Sequence, residues 1–311
     1  MIVFITLASV LAAFTVILYA IYRKTFYHNP KGTSPDPYSV LSRPYLDGMR
    51  ELVKQQIDDL TPYPCEEIYI NSYDGTRLFA RYYESDVKKP VCILFHGYKG
   101  SSYAELSGAA LLMLSYGFGV IITDERAHGK SGGKTITFGI KERLDCKAWV
   151  DYARQRFGEG REIILYGMSM GASTVLMASE LLPHPGVKAI IADCPYSDPT
   201  AIIKRVMSNH GLPTQIFFPL VRLSALIFGR FSITAASPTD AVKQSQIPTL
   251  LIHGEDDHFV PPEMSEEIFN ASSASKRSRF TVEGAKHGES FAKGMERYVA
   301  AVLDFINGID A

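Results

Sequence analysis

The sequence predicts an α/β fold, a mostly parallel central sheet of about eight strands with helices on both faces and a helical insertion. Three observations carry this. From Val91 onward, short and nearly continuous apolar runs alternate with helical stretches, the pattern of parallel strands covered on both faces. Two earlier strands meet at Asp74-Gly75, a hairpin signal that adds an antiparallel edge. The apolar run 163–165 leads into Gly167-Met168-Ser169-Met170-Gly171 and then a small, apolar segment, which reads as strand, sharp turn and helix.

Residues 1–22 contain no charged side chain, and at about 1.5 Å per residue they span roughly the hydrocarbon core of a bilayer. The positive residues Arg23, Lys24 and Lys31 follow the apolar run instead of preceding it, the reverse of a secretory signal. A retained single-pass anchor is expected, with the following segment on the cytoplasmic side. Residues 23–64 are punctuated by Pro30, Pro35, Pro37, Pro44, Pro62 and Pro64, with one helical patch near 46–60. They read as a stalk and lead-in helix.

The remaining residues, 65–311, read as one domain. Strands are expected at 66–70, 78–83, 91–95, 120–123, 163–165, 189–192, 249–252 and 279–282, and helices at 103–116, 142–157, 170–182, 262–270 and 291–306. In the last helix Phe291, Met295, Tyr298, Val302 and Ile306 form an amphipathic stripe. The stretch 194–248 interrupts the alternation. Long connections in compact folds are commonly functional, and this apolar one is expected to be a lid, with Phe217, Phe218, Leu220, Leu223 and Phe228 over the substrate.

Of the 311 residues 46% are hydrophobic and 21% charged, for a net charge of −1. No basic run of nucleic-acid-binding length occurs. The four cysteines show no Cys-x-x-Cys spacing and read as buried free thiols. Neither a metal nor a cofactor is expected. No His-Glu-x-x-His occurs, and the phosphate-loop look of Gly129-Lys130-Ser131 and Gly133-Lys134-Thr135 fails because Asp124 and His128 stand where a glycine is required.

The turn at Ser169 needs neighbours that are nearly absent, and Gly167 and Gly171 supply that room. The Met170 N–H then points into the same space from a helix N-terminus. A serine hydroxyl needs an adjacent base to attack, and carboxyl ends of parallel strands are where partners belong. His287 lies in such a loop between Gly284 and Gly288, and another loop holds Glu255, Asp256 and Asp257. Spacing to Val260-Pro261 favours Asp257 as the acid over Asp256, with Asp193 third.

The chain resembles the α/β-hydrolase fold over roughly residues 66–308. The resemblance rests on five places: His96-Gly97; Asp124-x-Arg126-x-His128-Gly129-x-Ser131; Gly167-x-Ser169-x-Gly171; Gly254-x-x-Asp257-x-x-Val260-Pro261; and His287-Gly288. It implies Ser169 as nucleophile, Asp257 as acid and His287 as base, with backbone N–H groups of Tyr98 and Met170 as oxyanion donors. Asp124, Arg126 and His128 are expected to brace loops. The expected activity is a serine hydrolase cleaving carboxylic esters through an acyl-enzyme, on a small-molecule or lipid ester. A lysophospholipase or acyl-thioesterase and a serine peptidase are alternatives on the same triad, and a non-catalytic membrane-tethered binding module is the alternative of another class. Substrate chain length and oligomeric state are not legible.

Overall fold

A computed structural model describes residues 1–29, 37–42, 46–183 and 185–309. All eight expected strands form: β1 (Glu66–Asn71), β2 (Arg77–Tyr83), β3 (Val91–Phe95), β4 (Gly119–Asp124), β5 (Ile163–Met168), β6 (Val187–Asp193), β7 (Thr249–Gly254) and β8 (Arg277–Val282). They make one sheet in the order β1-β2-β4-β3-β5-β6-β7-β8. β1 pairs antiparallel with β2, and β2 antiparallel with β4; the other pairings are parallel. The chain has the α/β-hydrolase fold.

The central strands are apolar in both alternations because both faces are covered. Ile93, Phe95 and Leu165 point into a core with Trp149 of α4 (Glu142–Phe157) and Val175 of α5 (Met170–Ala178). Cys92, Leu94 and Ile164 point the other way, to Leu106 of α3 (Ser102–Ser115) and Val302 of α11 (Met295–Asn307). The amphipathic stripe expected as one helix is divided into α10 (Ser290–Lys293) and α11, because Gly294 (φ −128°, ψ 35°) leaves helical geometry between them. All four cysteines are free, three of them buried and Cys65 exposed.

Between β6 and β7 lie α6 (Pro199–Asn209), α7 (Thr214–Ser224), a π-helical turn (Ala225–Gly229) and α8 (Pro238–Ala241); α9 (Pro262–Ala271) follows β7. The N-terminal helix α1 (Ile2–Thr25) is long and apolar enough to cross a membrane, a property that a signal sequence shares. Its outer turns are exposed, but Leu18, Tyr22 and the following Phe26 are buried, Tyr22 and Phe26 in one cluster with Phe218, Val221 and Phe231 of the insertion. The lead-in helix α2 (Arg50–Leu60) packs on α3 through Val53, Ile57 and Leu60 and is part of the folded body. Pro30, Lys31, Pro35 and Pro44 of the expected stalk lie outside the described residues.

Candidate active site

The carboxyl ends of β3, β4, β5 and β6 each turn sharply, and in each turn a non-glycine residue has positive φ: Lys99 (53°), Ala127 (65°), Ser169 (54°) and Cys194 (47°). Such backbone is costly for residues with a Cβ and persists where the surroundings over-determine it. At Ser169 (ψ −114°) the strand stops and α5 begins in the next residue. A Cβ at Gly167 would overlap the Gly171 carbonyl, and one at Gly171 would overlap the Phe95 carbonyl at the end of β3. The two glycines therefore let the elbow press against its own helix and against the neighbouring strand.

The structure brings three distant residues into one hydrogen-bonded chain. His287 Nε2 lies 2.9 Å from Ser169 Oγ, and His287 Nδ1 lies 2.6 Å from Asp257 Oδ2. A carboxylate only accepts, so Nδ1 carries the proton and Nε2 accepts from the serine hydroxyl. Asp257 is buried, which alone would push its pKa up. Hydrogen bonds from His253 and His287 win, and the Val260 N–H helps to hold the carboxyl far below the usual range. Its Oδ1 accepts from the N–H groups of Phe259 (3.0 Å) and Val260 (2.8 Å).

The loops carrying Asp257 and His287 are pressed together. A Cβ at Gly254 would overlap the Ala285 carbonyl, and Asp256 N–H donates to that carbonyl at 3.0 Å. Neighbouring acids are directed elsewhere: Glu255 accepts from Thr281 Oγ1, and Asp193 Oδ2 accepts from Tyr298 Oη. Burial lifts the Asp193 carboxyl to about 6, and its Oδ1 makes no hydrogen bond.

Ser169 stands where two cavities meet. One, of about 430 Å³, runs beneath α2 and includes Leu46, Val53, Gln56, Glu105 and Asp193. The other, of about 270 Å³, runs beneath the insertion and includes Ile203, Val206, Phe217 and Val221. Tyr98 borders both and Met170 the second. Tyr98 lies in the turn after β3, and Met170 is in the first turn of α5, where an N–H has no partner inside the helix.

Of the five insertion residues singled out from the sequence, Phe217 lines the second cavity. Phe218 is buried in the packing core of the insertion, and Phe228 meets the rings of Tyr19 and Tyr22 at 5.3 and 5.8 Å. Leu220 and Leu223 border neither cavity. Sequence reasoning missed three contributors. His253 donates to the Val260 carbonyl (2.8 Å) with the same nitrogen 3.4 Å from Asp257, Phe259 stands edge-on to the His287 ring at 5.0 Å, and the α2 face walls the larger cavity. His253 and Phe259 belong to the one stretch 253–261, whose sequence signal is its acidic residues.

Asp124, Arg126 and His128 brace loops. Arg126 pairs with Asp145 (2.6 Å) and Asp74 (2.9 Å), and Asp124 accepts from Ser102 and from Lys130 N–H. His96, Glu125 and His128 come close enough to suggest a metal. Each imidazole, however, spends one nitrogen on a backbone carbonyl and accepts a backbone N–H with the other: His96 takes that of Glu125, and His128 that of Lys99. Neither keeps a lone pair for an ion.

A family model described as serine aminopeptidase S33 matches residues 86–241, half of the chain. The chain belongs to this α/β-hydrolase family. Among curated relatives, the uncharacterized protein YqkD of Bacillus subtilis is 28% identical over 200 residues, 64% of this chain and 65% of that protein. Protein bem46 of Schizosaccharomyces pombe is 22% identical over 72% of this chain and 69% of its own. Among solved structures, an esterase of Pyrococcus furiosus superposes with a TM-score of 0.65 at 25% identity, covering 80% of this chain and 94% of the other. Est1E of Butyrivibrio proteoclasticus with ferulic acid bound superposes with a TM-score of 0.60 at 24% identity, over 78% of this chain and 98% of the other.

Proposed function

We propose that this chain is a serine hydrolase that cleaves carboxylic esters through an acyl-enzyme. The observation that carries the reading is the unbroken Ser169–His287–Asp257 hydrogen-bond chain at the junction of two cavities. His287 Nε2 takes the proton as Ser169 Oγ attacks the acyl carbon, and returns it to the departing alkoxide. Water then attacks the acyl-enzyme by the same route and frees the acid and Ser169. Asp257 holds the imidazole tautomer and stabilises the imidazolium without itself taking the proton. The N–H groups of Tyr98 and Met170 serve the developing oxyanion, each donor worth roughly 3 kcal/mol.

A fluorophosphonate probe tests this. Wild type should label covalently and Ser169→Ala should not; labelling that survives in the variant would overturn the assignment. The apolar lining of the cavity beneath the insertion favours, as a second reading, an acyl hydrolase for longer chains, whether lysophospholipid or thioester. Rates on esters of two to sixteen acyl carbons, with thioesters and peptides in the same screen, separate these from a small-ester enzyme and from a peptidase. In this reading α1 is retained as an anchor, and the positive residues Arg23 and Lys24 after it favour a cytoplasmic catalytic domain. Protease protection in right-side-out membranes checks that orientation.

A further inference from the structure

Helix α1 presents a mismatch of length. Its apolar span Phe4–Thr25 suffices for a membrane crossing, yet its last two turns are committed to protein. Leu18, Tyr22 and Phe26 are buried, Tyr22 Oη hydrogen-bonds Thr135 Oγ1 at 2.6 Å, and the Phe26 ring meets Phe231 at 5.3 Å. The exposed stretch before them, residues 4–17, covers only about 21 Å at ~1.5 Å per residue. The hydrocarbon core is about 30 Å thick. If α1 crosses, the protein packed against its last turns must itself be submerged by roughly the difference.

The surface beside those turns suits that position. α1 packs on α7 and the π-helical turn, and these expose Ile216, Phe217, Leu226 and Ile227. Arg23 and Lys24 at the end of α1, Arg222 between the two exposed pairs and Arg230 after them are also exposed, as expected of side chains reaching lipid headgroups. The same segments close the smaller cavity: Ile21, Lys24 and Thr25 of α1 line it together with Leu212, Phe217 and Ser169. The Tyr98 hydroxyl donates to the Thr25 carbonyl at 2.7 Å, which ties the turn after β3 to the same end of α1.

We propose that α7 and the π-helical turn lie in the bilayer surface beside α1, and that the cavity beneath them receives the acyl chain of a bilayer-resident ester from there. The substrate half of this rests on the serine-hydrolase reading; the placement half does not.

The test uses the full chain in phosphatidylcholine vesicles. In a Cys65→Ser background, a fluorophore on Ile227→Cys should lose at least half its emission to nitroxide-labelled lipid, and one on Lys243→Cys should lose almost none. Equal, weak quenching at both sites would overturn the placement, as would emission at Ile227→Cys that depends on protein concentration and not on the quencher, the mark of a second copy covering the patch. The double variant Ile216→Glu/Ile227→Glu should hydrolyse a soluble acetate ester at the wild-type rate and lose 10-fold or more on a sixteen-carbon ester presented in vesicles. Unchanged vesicle activity would overturn the delivery route. If Ser169→Ala kept full activity, the hydrolase reading would fall and the quenching result would stand by itself.

Discussion

The two cavities that meet at Ser169 differ in origin and in chemistry. The larger is closed by α2 and has carboxyl and amide groups in its wall, from Glu105, Asp193 and Gln56. Glu105 is engaged through Gly97 N–H, which donates to its Oε2 at 2.9 Å, whereas Asp193 Oδ1 makes no hydrogen bond. The smaller is closed by the insertion and α1 and is lined chiefly by Ile203, Val206, Met207, Phe217 and Val221. A polar group buried there without a partner costs on the order of 1–3 kcal/mol, and a methylene gains about 0.8 kcal/mol. The smaller cavity is therefore the more uniformly apolar side of the nucleophile, and the larger one carries the polar side chains in its wall.

Each cavity can be perturbed separately, and the shared triad supplies the reference. Asp257→Asn should lower kcat by about 10⁴-fold for every ester; a loss that varied with acyl length would break the view that the acid serves both cavities alike. Phe26→Ala removes a fully buried ring that packs on Phe138 and Phe231 and should cost about 3–5 kcal/mol in chemical denaturation. A negligible shift would mean that the end of α1 is not integral to the insertion. Ile203→Trp should lower kcat/KM for long acyl chains about 10- to 100-fold more than for acetate, and an equal loss on both would remove the smaller cavity as the acyl site.

Asp193 gives a subtler signal on the other side. Burial lifts its carboxyl to about 6 from a free value of about 3.9, so the folded state holds the proton more tightly than the unfolded chain. Its contribution is intact below about pH 4 and is lost as pH rises towards 6. Thermal melts from pH 4 to 7 should show that slope in wild type and a weaker one in Asp193→Asn. Tyr98→Phe should have the smallest effect. Losing the hydroxyl held by Thr25 should lower kcat by several-fold with little change in KM, since one such bond is worth about 1 kcal/mol; an unchanged kcat would separate that turn from α1.

The contrast also explains which parts were readable in advance. The elbow was legible because its constraint is local: Ser169 at positive φ demands small neighbours at 167 and 171, and only glycine leaves room for the Gly171 and Phe95 carbonyls. Strands 91–95 and 163–165 were legible because burial on both faces leaves a continuous apolar run. The acid was legible as the favoured member of a cluster, since spacing to Val260-Pro261 points to Asp257, but spacing cannot show which carboxylate turns inward; the N–H groups of Phe259 and Val260 and the His287 ring hold Asp257 there. The aromatic residues of 212–231 looked alike in sequence, yet Phe217 borders a cavity, Phe218 is core and Phe228 meets α1.

From the sequence by itself came the strand-helix alternation, the nucleophile turn, the apolar N-terminal helix and the order in which serine, acid and histidine follow one another. These depend on periodicity and on backbone demands that act within a few residues. The tertiary structure alone decided that α2 walls the larger cavity, that α1 ends as a wall of the smaller one, and that the two spaces meet at Ser169. An amphipathic stripe states that a face will be buried and carries no information about the surface that buries it, so partners from residues 21–25, 46–56 and 203–221 become visible only once the chain has closed around the sheet.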